Sequence, residues 1–122
     1  MTDQILETLN EISTKESDDI YILIGAEEFD KNILNLGPKE RNNTLLKAKK
    51  FFIEAKNRYR ITICKSQFVR EYLENESYYN KIQILSGLTD LLLAKYNKVT
   101  ACSLAVLFFR EGLKDFCSTI NE

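Results

Sequence analysis

Residues 99 to 119 read VTACSLAVLFFREGLKDFCST and include the most apolar stretch of the chain, the nine residues from Ala101 to Phe109, of which only Ser103 is polar. At helical spacing this segment predicts one apolar face, made of Cys102, Val106, Phe109, Leu113, Phe116 and Cys117. Leu104, Leu107 and Phe108 lie outside that face, so the first half of the helix is apolar all round and must be covered on every side. Either the acidic N-terminal segment of residues 1–36 covers it, or these three residues form a partner-binding surface.

The preceding residues, 78 to 96, predict a second and largely enclosed helix. Its apolar arc covers more than half of the circumference and leaves a narrow polar stripe of Gln83, Ser86, Gly87 and Asp90. Ser77 is the expected N-cap. Because only Asn97 and Lys98 separate this helix from the last one, the two helices are expected to form an antiparallel hairpin.

Three further helices are predicted upstream, at residues 2–13, 39–63 and 66–74, the last with Ser66 as its N-cap. The apolar run at residues 20–25, IYILIG, has no second strand to pair with and is expected to pack as a helical or extended segment. The predicted fold class is therefore all-α, a small irregular bundle of about five helices. It forms one domain with an acidic N-terminal segment, residues 1–36, and a helical core, residues 38–120.

Composition limits the chemistry that the chain can perform. The 122 residues include no histidine, which excludes catalytic triads with an imidazole base and zinc sites with histidine ligands.

No apolar run approaches the roughly 20 residues that cross a bilayer. The abundance of Ile, Asn and Lys is typical of AT-rich genomes and suggests a bacterial or phage origin.

The three cysteines, Cys64, Cys102 and Cys117, are expected to be reduced and buried, which favours a cytoplasmic location. Cys102 and Cys117 lie on one face of the last predicted helix but about 22 Å apart along its axis, too far to pair. Cys64, beside a lysine, is the one candidate for a reactive thiol.

Charge is distributed unevenly along the sequence. Residues 1–30 carry nine acidic side chains and one lysine, whereas residues 39–70 carry ten basic and two acidic ones. The basic segment also contains aromatic residues, a composition that nucleic-acid surfaces use. The candidate contacts for nucleic acid are Lys49, Lys50, Lys56, Arg58 and Arg60. The competing interpretation is a solvated cationic helix face, partly neutralised by the acidic segment.

Catalytic, cofactor and metal sites are not predicted. The carboxylates Asp18, Asp19, Glu27, Glu28 and Asp30 do not match the spacing of a calcium-binding loop, and the four glycines are too scattered to form a phosphate loop. By elimination, the leading prediction is a non-enzymatic helical protein–protein interaction module, a homodimer or a small subunit or regulator of a larger complex. The alternative is a nucleic-acid-associated protein that uses the basic helix of residues 39–65.

Overall fold

The computed structural model describes residues 2–29 and 37–118, and these fold into helices. The described ranges contain no strand and seven helices: α1 Thr2–Ser13, α2 Ser17–Glu28, α3 Pro38–Lys65, α4 Gln67–Glu74, α5 Lys81–Leu92, α6 Lys98–Glu111 and α7 Leu113–Cys117. The all-α class is confirmed. The helices outnumber the expected five because residues 20–25 are helical, within α2, and the last predicted helix is interrupted.

Helix α6 lies at the centre of the bundle, and every residue from Ala101 to Phe108 is buried. Helix α5 packs along it as the other arm of the predicted hairpin, while α1 and α2 cover further sides. The acidic N-terminal segment therefore covers the apolar helix within the same chain.

Polar contacts at both ends of α6 hold α1 and α2 in place. The Arg110 guanidinium donates to the carbonyl oxygens of Ser13 and Lys15, at 3.0 and 2.5 Å, and to the Ser17 hydroxyl at 3.1 Å. It thus satisfies carbonyl groups where α1 ends and α2 begins. At the other end, the Thr100 hydroxyl donates to the Glu28 carboxylate at 2.8 Å.

The structure corrects one predicted cap and confirms the position of another, Ser66. Asn80, rather than Ser77, caps α5: its side chain accepts from the Gln83 amide, and the Gln83 side chain accepts from the Asn80 amide, both at 2.9 Å. Ser77 instead bonds the Asn75 side chain. Ser66 precedes α4, but its hydroxyl donates back to the Ile63 carbonyl at 2.6 Å.

The predicted single helix over residues 99–119 is also wrong, because Gly112 ends α6. Its φ of +100° lies in a region that residues with a side chain rarely adopt, and its amide donates to the carbonyl oxygens of Phe108 and Phe109. The chain then starts α7 in a new direction. As a result the Phe116 ring packs against the Phe108 ring, with centroids 5.1 Å apart.

Helices α2 and α3 approach closely at Gly25. A Cβ added there would lie 2.2 Å from Cγ2 of the buried Thr44. Only a residue without a side chain lets the two helices pack at this distance.

We expect Gly25→Ala to lower the free energy of unfolding by about 1–3 kcal/mol, because the new methyl group overpacks the α2–α3 contact. Chemical denaturation followed by circular dichroism measures this change. The control is Thr44→Ser, which removes the clashing methyl group and should recover part of the loss in the double variant. A double variant whose losses simply add would contradict the packing at Gly25.

Candidate interaction surface on helix α3

The predicted partner surface on the last helix is corrected by the fold. Leu104, Leu107 and Phe108 are 0, 4 and 0% exposed. They contribute to the main core cluster, which also contains side chains of α1 and α2. A partner cannot reach them without opening the bundle, so the intramolecular cover is the arrangement found.

An exposed aliphatic stripe lies instead on α3. Leu46, Ile53 and Ile61 are 67, 55 and 60% exposed, although they are large apolar side chains. Their spacings of seven and eight residues are close to two helical turns, about 7.2 residues, so they follow one side of the helix over about 22 Å. The buried side chains Ala48, Phe52 and Ala55 lie on the opposite side. We call Leu46, Ile53 and Ile61 the α3 stripe.

Sequence reasoning predicted a helix at residues 39–63 and overlooked the α3 stripe. The signal was present in the same residues: aliphatic side chains outside the core face, recurring at two-turn spacing. In α6 that signal marked a helix enclosed by others. In α3 it marks a helix with one face in solvent, and only the packing distinguishes the two cases.

Cationic side chains flank the α3 stripe. Helix α3 contains nine lysines and arginines and two glutamates. Lys49 and Lys50 are exposed and lie on opposite sides of the stripe at helical spacing, and Arg58 is exposed further along the helix. In the described residues none of these three has a carboxylate within 4.0 Å. The Lys49 ammonium lies 5.7 Å from the centre of the Tyr21 ring.

The other two candidate cations are engaged within the fold. Lys56 forms an ion pair with Glu111, and its ammonium lies 6.0 Å from the centre of the Phe116 ring. The Arg60 guanidinium lies 5.7 Å from the same ring, and its buried Nε has no hydrogen-bond partner among the described residues. The set predicted to contact nucleic acid therefore divides into three accessible side chains and two that hold α7.

The prediction of reduced cysteines is wrong for two of the three residues, although both of these are buried as predicted. Cys64 and Cys117 form a disulfide that joins the end of α3 to α7. On a straight helix Cys117 would share a face with Cys102, whereas the break at Gly112 turns Cys117 towards Cys64 at the end of α3. In a chain-entropy estimate, closing a loop with 53 residues of sequence separation stabilises the fold by about 4 kcal/mol.

Cys102 matches the prediction of a buried thiol that packs in the core. It is 0% exposed and is the one cysteine outside the disulfide. Burial raises the pKa of its thiol to about 11, and a hydrogen bond with Thr89 opposes the rise. The thiol is therefore protonated and unreactive at neutral pH.

The described carboxylates do not assemble a metal centre. Residues 2–29 and 37–118 contain no group of three or more Cys, Asp and Glu side chains arranged to hold a metal ion. Asp19 pairs with Arg41 at 2.7 Å, and Glu28 bonds Thr100. Asp30 lies outside the described residues.

Among the helices in residues 2–29 and 37–118, none is both long and apolar enough to cross a membrane.

Comparisons with protein families, curated proteins and solved structures give no match for this chain.

We expect Leu104→Glu and Leu46→Glu to differ sharply although the substitution is the same. The first places an unpaired carboxylate in the core and should cost about 3 kcal/mol or more, whereas the second should stay within about 0.5 kcal/mol of the parent. Urea denaturation curves of the two variants measure the contrast. A folded, near-neutral Leu104→Glu variant would restore the partner surface on α6.

Thiol counting tests the cysteine assignment. We expect no fast-reacting thiol in the native protein, one after unfolding without reductant and three after unfolding with reductant. A colourless thiol reagent that releases a chromophore, used at neutral pH, gives these counts. Three thiols in the unreduced, unfolded chain would show that Cys64 and Cys117 are not bonded.

Proposed function

We propose that this protein is a non-enzymatic helical interaction module that binds an acidic protein partner through the outer face of α3. The α3 stripe is the observation that supports this proposal. Phosphate contacts need cations and polar groups, whereas three aliphatic side chains held in solvent contribute to affinity only when another apolar surface covers them. Such a row is typical of helices that pack against a partner helix or groove.

The partner's charge follows from the side chains around the stripe. The exposed cations Lys49, Lys50 and Arg58 favour a surface that carries carboxylates around an apolar centre. Two copies of this chain joined through α3 would bring like charges together, which disfavours a homodimer on this face. The proposed partner is therefore a different protein with an acidic, amphipathic helical surface.

The stripe is large enough to determine the affinity. Burying each half-exposed aliphatic side chain stabilises a complex by about 1 kcal/mol, so three contribute about 3 kcal/mol. That free energy corresponds to roughly a 100-fold change in Kd. The cations add specificity and association rate more than affinity.

Nucleic-acid binding is the second candidate function, and the accessible cations Lys49, Lys50 and Arg58 favour it. Substitutions of different residues distinguish the two functions. Protein binding requires the aliphatic stripe, whereas nucleic-acid binding requires the cations and weakens steeply with salt.

We place the module in the cytoplasm of a bacterial cell or of a phage-infected one, as a small subunit or regulator of a larger complex. The disulfide bears on the compartment, because structural disulfides are rare in the cytosol. Cytosolic disulfides are usually redox-active, which gives the Cys64–Cys117 pair a role compatible with this location.

Site-specific photo-cross-linking in the host cell tests the proposal. A photoreactive amino acid replaces Asn57, which is exposed on α3 between Ile53 and Ile61, or the exposed Asn10 of α1 as the matched control. We expect a protein adduct from position 57 that is absent from position 10 and is lost when Leu46, Ile53 and Ile61 are changed to serine.

Other outcomes of the cross-linking experiment would select nucleic acid or overturn the proposed surface. A nuclease-sensitive adduct that survives the serine changes but disappears on charge reversal of Lys49, Lys50 and Arg58 would select nucleic acid. Equal adducts from positions 57 and 10, or none from position 57, would overturn the proposed surface.

A further inference from the structure

A cationic cleft lies over the disulfide, on a part of the molecule that the α3 stripe does not include. The cleft has a volume of about 960 Å³ and is formed where the end of α3 meets α4 and α7. Its lining includes both cysteines of the disulfide, three cations and one carboxylate: Cys64, Cys117, Lys65, Arg70, Lys114 and Glu74.

The charge of the cleft favours anions. The side chains of Lys65, Arg70 and Lys114 are exposed, and in the described residues none of them has a carboxylate within salt-bridge distance. Glu74 is the one acidic residue of the lining. Cations converging on a concave surface raise the local concentration of small anions.

The disulfide forms part of this lining and is not sealed in the core. Cys64 and Cys117 retain 8 and 7% exposure, whereas Cys102 is fully buried. Small molecules that enter the cleft therefore lie beside the two residues that form the disulfide and beside positive charge. This is the environment in which a thiolate is stabilised as attacking or leaving group.

We propose that the cleft is a thiol–disulfide exchange site for small thiols that carry a carboxylate. The carboxylate of the ligand pairs with Lys65, Arg70 and Lys114, which brings its thiolate to the disulfide. The thiolate attacks one sulfur of the pair, a new sulfur–sulfur bond forms, and the Cys64–Cys117 bond breaks. The electron pair moves to the second cysteine, which leaves as a thiolate and takes a proton from water.

The exchange balances without a further oxidant or reductant. The first step gives a mixed disulfide and one cysteine thiol, with no net oxidation. A second small thiolate then attacks the mixed disulfide, releases the symmetrical disulfide of the small thiol and leaves Cys64 and Cys117 reduced. The two small thiols supply the two electrons. Cys102 takes no part, since it is buried and its thiol is protonated at neutral pH.

Reduction rates with thiols of different charge test the site. The full chain is treated with mercaptoacetate, 2-mercaptoethanol or cysteamine, quenched with acid, alkylated and weighed by mass spectrometry. Rates are expressed per thiolate, which removes the differences in ionised fraction, and comparison with an unfolded reference cancels the remaining differences in intrinsic nucleophilicity. The reference is the same chain unfolded in urea, which keeps the disulfide and the charges but loses the cleft.

We expect the folded protein to prefer mercaptoacetate over cysteamine by about tenfold more than the unfolded chain does, with a mixed disulfide at Cys64 or Cys117. Added salt should reduce the preference. Charge reversal of Lys65, Arg70 and Lys114 should abolish or invert it. The matched control reverses three exposed lysines elsewhere, Lys39, Lys47 and Lys95, and should leave it unchanged.

The same measurements can overturn the proposal. Equal preferences in the folded and unfolded chain, or a preference that survives charge reversal in the cleft, would show that the cleft does not recognise the carboxylate. A disulfide that no small thiol reduces before unfolding would show that it is structural only. None of these three results bears on the α3 stripe, because the two sites use different residues.

Discussion

The structure depends on one constraint, the burial of a helix that has no polar face in its first half. Water cannot solvate α6 favourably between Ala101 and Phe108, so other elements must enclose it. Helix α5 supplies one wall, and α1 and α2 supply others. The acidic side chains from Glu7 to Glu28 are exposed, because the apolar sides of α1 and α2 are committed to the core. The acidic outer surface of the N-terminal segment is thus a consequence of the core.

Helix α3 has the opposite character, since it is long, strongly cationic and packed through one face only. Small residues such as Ala48 and Ala55 let that face approach the core closely, with Phe52 filling the space between neighbouring helices. The other face keeps Leu46, Ile53 and Ile61 in solvent. Nothing in the stability of the monomer requires aliphatic side chains there. Their presence therefore favours a role in binding.

The break at Gly112 links the core to the second candidate site. By ending α6 it turns Phe116 towards Lys56 and Arg60, and it brings Cys117 to Cys64. The contacts of Lys56 and Arg60 with the Phe116 ring and the disulfide hold α7 against α3, and the ion pair of Lys56 with Glu111 holds the end of α6 there. The cationic cleft forms at this junction, so its geometry depends on contacts between residues far apart in the sequence.

The sequence by itself determined the helical class, the apolar faces of α5 and α6, the hairpin and the need to cover Leu104 and Phe108. These follow from periodicity and local propensity, which act over one or two helical turns. The tertiary structure alone decided what covers α6, which cations remain accessible and which cysteines pair. Those outcomes depend on distances between elements remote in the chain, and a single glycine with positive φ redirected the last turn. Periodicity shows that a face is apolar, but only packing decides whether it lies in the core or in solvent.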